Sequence, residues 1–264
     1  RNQQSKNYYL KYDVLVLKEG LKELDNKIKN ITKDKCTIYD KQLTISSLTN
    51  KYMKSEGCFK GVYEVSGNLR EYISQAITGG RVSCLESTKR KILTESIADY
   101  DAVSLYPSAI YRMCLEKGLP IGACKRISTF NKEELDKFDY YICTVKITKI
   151  NKKQQISFIH SREEGESLRY INKVPKNGMI TIIDNITLDD YIKFHEIEYE
   201  ILDGVYWNNG TNRRFGEVIK NLFDERIKEK QLKKQFSKID ENRAQGHDTM
   251  QRVIKLMLNS AYGK

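Results

Sequence analysis

The run Asp101-Ala102-Val103-Ser104-Leu105-Tyr106-Pro107 constrains this chain more than any other stretch, because the backbone must pass from extended to helical within it and leave an acid near the change. Ile97 to Val103 reads as a short apolar strand interrupted by Asp99 and Asp101, and strand alternation puts both acids on one side. Tyr106 and Pro107 then turn the chain into an apolar helix, Ser108 to Leu115, since proline fits a first helical turn. A carboxylate at a strand end can hold a hard cation. Mg²⁺ takes one or two protein carboxylates plus substrate phosphates, so Asp101 with the backbone carbonyl of Ala102 makes half a site and needs a partner acid. Asp99 is read as structural, and the turn sets the Tyr106 ring beside the metal.

A second run, Lys255 to Lys264, obeys helical spacing: Lys255, Asn259 and Tyr262 at i, i+4 and i+7 share a face. Val253, Leu256, Met257 and Leu258 are expected to pack against the protein. A lysine, an amide and a phenol in line suit a nucleoside triphosphate, the ammonium meeting phosphate charge and the other two lying against sugar and base. Gly263 permits close backbone approach.

The pattern D-x-x-S-L-Y-P followed by K-x-x-x-N-S-x-Y-G resembles motifs A and B of family B DNA polymerases, and L-M-L-N-S-x-Y-G-K is similar to the protein-primed branch. Gly79-Gly80-Arg81 resembles the Y-x-G-G element that joins exonuclease and polymerase parts in that family, with Ile77 in place of its tyrosine. Tyr9 and Asp13 fit the Y-x-x-x-D pattern of the third exonuclease motif, on a helix running from Tyr8 to about Asn30 with Leu17, Leu21, Leu24 and Ile28 at helical spacing.

The resemblance implies an α+β chain: a polymerase palm and fingers preceded by the C-terminal end of a 3′-5′ exonuclease domain. Residues 1–30 would be that end, 31–95 a connecting segment, 96–215 a palm with a β-rich insertion like the one that contacts a terminal protein, and 216–264 the fingers. It implies template-directed addition of deoxynucleotides to a primer 3′-hydroxyl or a priming protein, by two-metal phosphoryl transfer with Mg²⁺, as a role in DNA replication. Asp101 and Lys255 would be catalytic, with Asp101 and Ala102 on the metal. Ser104, Leu105, Tyr106, Arg226, Lys230, Asn259 and Tyr262 would bind nucleotide, Tyr106 excluding a 2′-hydroxyl. Gly79, Gly80, Arg81, Ser104, Gly263 and Lys264 would touch DNA, and Tyr9 and Asp13 would serve the exonuclease. Arg243 is a second choice as phosphate ligand. The family's D-x-D element, carrier of the second acid, would follow motif B. The 264-residue chain, beginning with Arg, is therefore expected to be an internal piece that does not polymerise alone.

The formal charge of +11 favours a polyanionic partner, although Lys and Ile enrichment from a biased coding composition would produce the same number. No apolar run approaches a membrane span, no secretory leader is visible, and an intracellular setting is expected. Six scattered cysteines lack a C-x-x-C pair and are expected to be buried as small hydrophobes. Strands are expected at Arg81–Leu85, Tyr140–Ile147, Gly178–Ile183 and Tyr199–Trp207. Helices are expected at Ser46–Lys54, Asn68–Ile77, Leu188–His195 with Thr187 as N-cap, and Phe215–Phe236 with Val218, Leu222, Ile227 and Leu232 inside. Ser237 to Gly246 would link the last helix to motif B. The competing reading is a polymerase remnant that binds nucleic acid and does no chemistry.

Overall fold

Helical and alternating apolar periodicities separate along this chain, and so do its two hydrophobic cores. The computed structural model describes residues 3–41, 44–82, 84, 88–161 and 168–262. In chain order the elements are α1 (Gln3–Thr32), α2 (Ile45–Ser55), α3 (Gly67–Gln75), α4 (Leu105–Glu116), β1 (Leu119–Pro120), β2 (Lys125–Arg126), α5 (Lys132–Leu135), β3 (Tyr140–Ile150), β4 (His160–Ser161), β5 (Arg169–Tyr170), β6 (Met179–Asp184), α6 (Asn185–His195), β7 (Ile197–Trp207), β8 (Thr211–Asn212), α7 (Arg214–Phe236) and α8 (Glu241–Ser260).

The first unit takes residues up to Lys60, Ala102–Leu119 and Asn212 onward. It is helical. The i, i+3, i+4 apolar rows of α7 (Val218, Ile219, Leu222) and α8 (Val253, Ile254, Met257, Leu258) bury against each other, and Ile28 of α1, Leu48 and Met53 of α2 and Cys114 of α4 complete the core. Each such side chain contributes about 1.5–3 kcal/mol through removal from water. Helices α4 and α7 cross closely because Gly216 lacks a side chain: a Cβ there would lie 2.5 Å from the Cys114 Cβ. Thr44 caps α2 by accepting the Ser47 N–H, and Asp240 caps α8 by accepting that of Arg243.

The second unit takes Gly61–Asp101 and Pro120–Thr211. Its antiparallel sheet has the order β2-β7-β3-β6. In β3 the alternate residues Tyr141, Cys143, Val145 and Ile147 are fully or nearly fully buried, and they form the core with Ile183 of β6, Leu188 and Tyr191 of α6, and Ile201 of β7. Gly204 allows β7 to approach β3 beside the register shift at Thr144/Val145, where a Cβ would sit 2.6 Å from the Ile142 carbonyl oxygen. His195 ends α6 wholly buried. Its Nδ1 lies 2.9 Å from the Lys152 carbonyl and its Nε2 accepts the Phe158 N–H at 3.0 Å, so the neutral ring with hydrogen on Nδ1 is the form that satisfies both.

Several expectations are corrected. Ile97–Val103 is not a strand: its backbone pairs with none of the described strands, and Ile97, Tyr100 and Val103 are exposed. A strand requires a partner to take its hydrogen bonds, and pattern alone does not supply one. Arg81, Val82 and Cys84 are likewise outside any strand, while Ser83 and Leu85 lie outside the described residues. Helix α4 begins at Leu105 rather than Ser108, with Pro107 accommodated in its first turn. Helix α6 begins at Asn185, capped by Asp184 through the Thr187 N–H, because the carboxylate three residues before Thr187 displaces it as cap. The expected linker Ser237–Gly246 is mostly helical, since the Asp240 cap starts α8 at Glu241. Ile227 and Leu256 are exposed, lying off the α7–α8 seam, and so are Leu17 and Leu21 on the first half of α1. Cys36, Cys58, Cys114 and Cys143 are buried as expected, but Cys84 is exposed.

Candidate active site

Within the helical unit, the turn before α4 and helices α7 and α8 hold most of the candidate residues. Ser104 precedes α4 with φ 51° and ψ 47°, a left-handed conformation that costs a non-glycine residue on the order of 1 kcal/mol. Its carbonyl accepts the Ser108 N–H, which opens the helix, and its Oγ accepts a hydrogen bond from Arg226 Nη1 at 3.2 Å. Two residues on, the Tyr106 ring stacks on Tyr262, with centroids 4.6 Å apart and planes 16° from parallel. The pair leaves Tyr106 52% exposed, so one aromatic surface still faces solvent.

On α8, Lys255 and Asn259 are exposed and Tyr262 is half-buried, with Val253, Ile254, Met257 and Leu258 on the core face. The helical spacing thus divides polar from apolar sides. Arg226 and Lys230 stand one turn apart on α7. The Lys230 ammonium is held below its ordinary range first by the Arg226 charge, then by burial and by the charges of Lys255 and Lys234. Burial lowers Arg226 as well. The three cations Arg226, Lys230 and Lys255 therefore share one locality, and none has an acidic partner among the described residues. Of the other cations of α7, Lys220 pairs with Asp224, Lys228 with Glu225 and Lys233 with Asp248, while Lys234 adds a further positive charge near Lys230. Concentrated like charge without a counter-charge disfavours the free protein and favours an anion.

Behind the cations lies a layer that the sequence reading missed. Asp248 is almost completely buried and accepts from Lys233 at 2.8 Å, Gln251 Nε2 at 3.0 Å and Arg252 at 2.8 Å. Gln251 Oε1 in turn lies 3.5 Å from Arg226 Nε. The position of Gln251, one turn before Lys255 on the same face, is readable from the sequence, but its link to Asp248 is not. Farther along the hairpin, His247 meets Glu229 at 2.8 Å, and the Arg243 guanidinium lies 4.4 Å from the centre of the Phe236 ring, which also stacks on His247.

The remaining candidates are less gathered. Asp101, Ala102 and Asp99 lie exposed in backbone outside any helix or strand, and Leu105 is exposed at the start of α4. Among the described residues, no three or more His, Cys, Asp or Glu side chains cluster to hold a metal. Asp101 with the Ala102 carbonyl still fits Mg²⁺ as half a site, because that ion takes few protein carboxylates and, among the described residues, the Asp101 side chain has no hydrogen-bond or ion-pair partner. In the β-rich unit, Gly79 and Gly80 lie in irregular backbone. The Arg81 guanidinium bonds the Ser157 carbonyl and lies 5.6 Å and 5.3 Å from the Phe158 and Tyr170 ring centres, so it anchors this segment to its own unit. Tyr9 and Asp13 sit exposed, one turn apart on α1. Gly263 and Lys264 lie outside the described residues.

No helix among the described residues is long and apolar enough to cross a membrane. No curated protein sequence matches the chain. Among solved structures, the orthorhombic crystal form of Phi29 DNA polymerase is similar with a TM-score of 0.60 and 18% identity, covering 84% of this chain and 36% of that one. Phi29 DNA polymerase complexed with primer-template DNA and incoming nucleotide substrates is similar at 0.56 and 20% identity, with the same coverage. Its binary complex with primer-template DNA gives 0.53 and 17%, covering 83% and 35%. At these identities the likeness establishes shared fold, and the chain spans about a third of the length of those polymerases. Residues 3–264 match the family described as DNA polymerase type B, organellar and viral, and the chain belongs to that family.

Proposed function

We propose that this chain carries the nucleotide-binding part of a DNA-directed DNA polymerase centre, with α7 and α8 as fingers and the run from Asp101 into α4 as the palm edge. The observation that carries this reading is the group of three cations without acidic partners, Arg226, Lys230 and Lys255, on the helices that also hold Asn259 and Tyr262. A triphosphate supplies the missing negative charge, and the stacked Tyr106 and Tyr262 rings supply a flat apolar surface for sugar and base.

In the reaction, a primer 3′-hydroxyl attacks the α-phosphorus of a deoxynucleoside triphosphate and pyrophosphate leaves. Lys255, Arg226 and Lys230 bind and orient the phosphates, while Asn259 places the nucleotide. Tyr106 meets the sugar at its 2′ position and rejects a hydroxyl there. Asp101 and the Ala102 carbonyl would hold Mg²⁺, which when bound neutralises phosphate charge and polarises the reacting oxygens. These residues provide one carboxylate, and two-metal transfer needs a second beside it. Primer-template DNA is the proposed macromolecular partner, with Gly79, Gly80, Ser104 and Gly263 against it. The β-rich stretch between Pro120 and Thr211 is the candidate contact for a priming protein. Tyr9 and Asp13 are assigned to an exonuclease site whose other acids are not identified in this chain.

The test is equilibrium binding of dATP, dAMP and inorganic tripolyphosphate to the chain in Mg²⁺ buffer. The triphosphates should bind more tightly than dAMP. Arg226→Ala and Lys255→Met should each weaken them about tenfold or more, as expected for lost charge-assisted hydrogen bonds. Lys228→Met, which removes a lysine paired with Glu225, should not. Equal affinity for dATP and dAMP, or equal losses at Lys228 and Lys255, would refute the assignment.

A further inference from the structure

A guanidinium on a long flexible stem binds phosphate well only if something holds it in place, and here two side chains do so. Arg226 is tied through Nη1 to Ser104 Oγ and faces Gln251 through Nε. An amide can present either end, but the Gln251 amide is oriented: its Nε2 donates to the buried Asp248 carboxylate, which leaves Oε1 towards the arginine. Asp248 is itself fixed by Lys233 from α7 and Arg252 from α8, and those cations hold its carboxyl below the usual range together with the Gln251 bond. The result is a relay of side chains, Asp248 to Gln251 to Arg226 to Ser104, running from inside the α7–α8 hairpin to the turn before α4.

We propose that Gln251, oriented by Asp248, is a positioning residue that holds the Arg226 guanidinium in place for a polyphosphate, so that the anion site is formed before ligand arrives. This rests on the nucleotide-binding reading above. Gln251 need not touch the ligand; it acts by removing rotamers that Arg226 would otherwise have to lose on binding. The carboxamide suits this role because its oxygen accepts from the guanidinium without placing a negative charge among Arg226, Lys230 and Lys255. A carboxylate at 251 would face the same arginine, neutralise it and compete with phosphate.

The experiment measures inorganic tripolyphosphate affinity for the full chain in a double-mutant cycle between Gln251→Met and Arg226→Ala, with melting temperature recorded for each variant. Methionine keeps the volume and removes both polar ends. Gln251→Met should weaken binding about fivefold while melting within a degree or two of the parent. On the Arg226→Ala background it should have no further effect. Gln251→Glu should weaken binding more than Gln251→Met and lower the salt dependence of what remains. If Gln251→Met leaves affinity unchanged, or costs the same factor with and without Arg226, the positioning role is wrong. If Arg226→Ala and Lys255→Met are themselves silent, the nucleotide site is wrong, a different failure from that of Gln251 alone. Should only Asp248→Asn reduce affinity, with a matching fall in melting temperature, the network is merely structural and the proposal fails.

Discussion

Replacing Gly216 by alanine sets two energies of known sign against each other. In a helix interior, glycine to alanine is favourable by up to about 1 kcal/mol, and Gly216 is in the first turn of α7, where that gain is smaller. Against this, the new methyl carbon would stand 2.5 Å from the Cys114 Cβ and 3.4 Å from the Tyr111 carbonyl oxygen, both on α4. Neither is the end of a flexible side chain, so relief requires moving one helix off the other. Overpacking of this kind costs about 1–3 kcal/mol. The net expectation is a loss of about 1–2 kcal/mol, or a fall of roughly 2–8 °C in melting temperature for a chain of this size. Gly246 of α8 provides the control, since a Cβ there meets nothing within 4 Å, and Gly246→Ala should raise stability by about 0.5–1 kcal/mol. Thermal and urea unfolding followed by circular dichroism would measure both. A Gly216→Ala variant as stable as the parent would refute the close α4–α7 crossing.

Two further predictions concern the other unit and the stacked rings. Burial lowers the pKa of His195 below its ordinary value near 6.5, so the unfolded chain takes up a proton that the folded one refuses. Its contribution is therefore whole above about pH 6.5 and is lost as pH falls towards the depressed value. Unfolding midpoints from pH 8 to 5 should decline, and His195→Gln should be less stable at pH 7.5 but show a flatter profile; parallel profiles would contradict the assignment. In a primer-extension assay, Tyr106→Val should raise ribonucleotide incorporation and, by removing the partner of Tyr262, raise the KM for deoxynucleotides severalfold. Unchanged sugar discrimination would remove Tyr106 from that role.

Much of this organisation was legible from local pattern. The 3.6-residue apolar rows of α2, α7 and α8 and the alternation in β3, β6 and β7 reported the elements because each lies half in water and half on a core. The polar face Lys255, Asn259 and Tyr262 was readable for the same reason. Ile97–Val103 misled because apolar alternation records affinity for a partner strand without naming one. Among the lysines of α7, composition alone could not separate Lys230 from Lys228; the distinction comes from Glu225, Asp248 and the opposing α8, which pair with some cations and leave others bare. Gln251 was overlooked because its task is set by a buried carboxylate one turn earlier, and burial of an acid is not a sequence property.

The division of the chain also sets an order of events during synthesis. Because the helical unit draws on three separated stretches and the β-rich unit on two, the polypeptide passes from one to the other four times. Helices α1, α2 and α4 emerge from the ribosome long before α7 and α8, the elements that bury their apolar sides. The β-rich unit, by contrast, has all its strands once residue 211 is made. It should mature first, with α1, α2 and α4 waiting as an adhesive, chaperone-dependent intermediate until the roughly fifty residues of the α7–α8 hairpin are made.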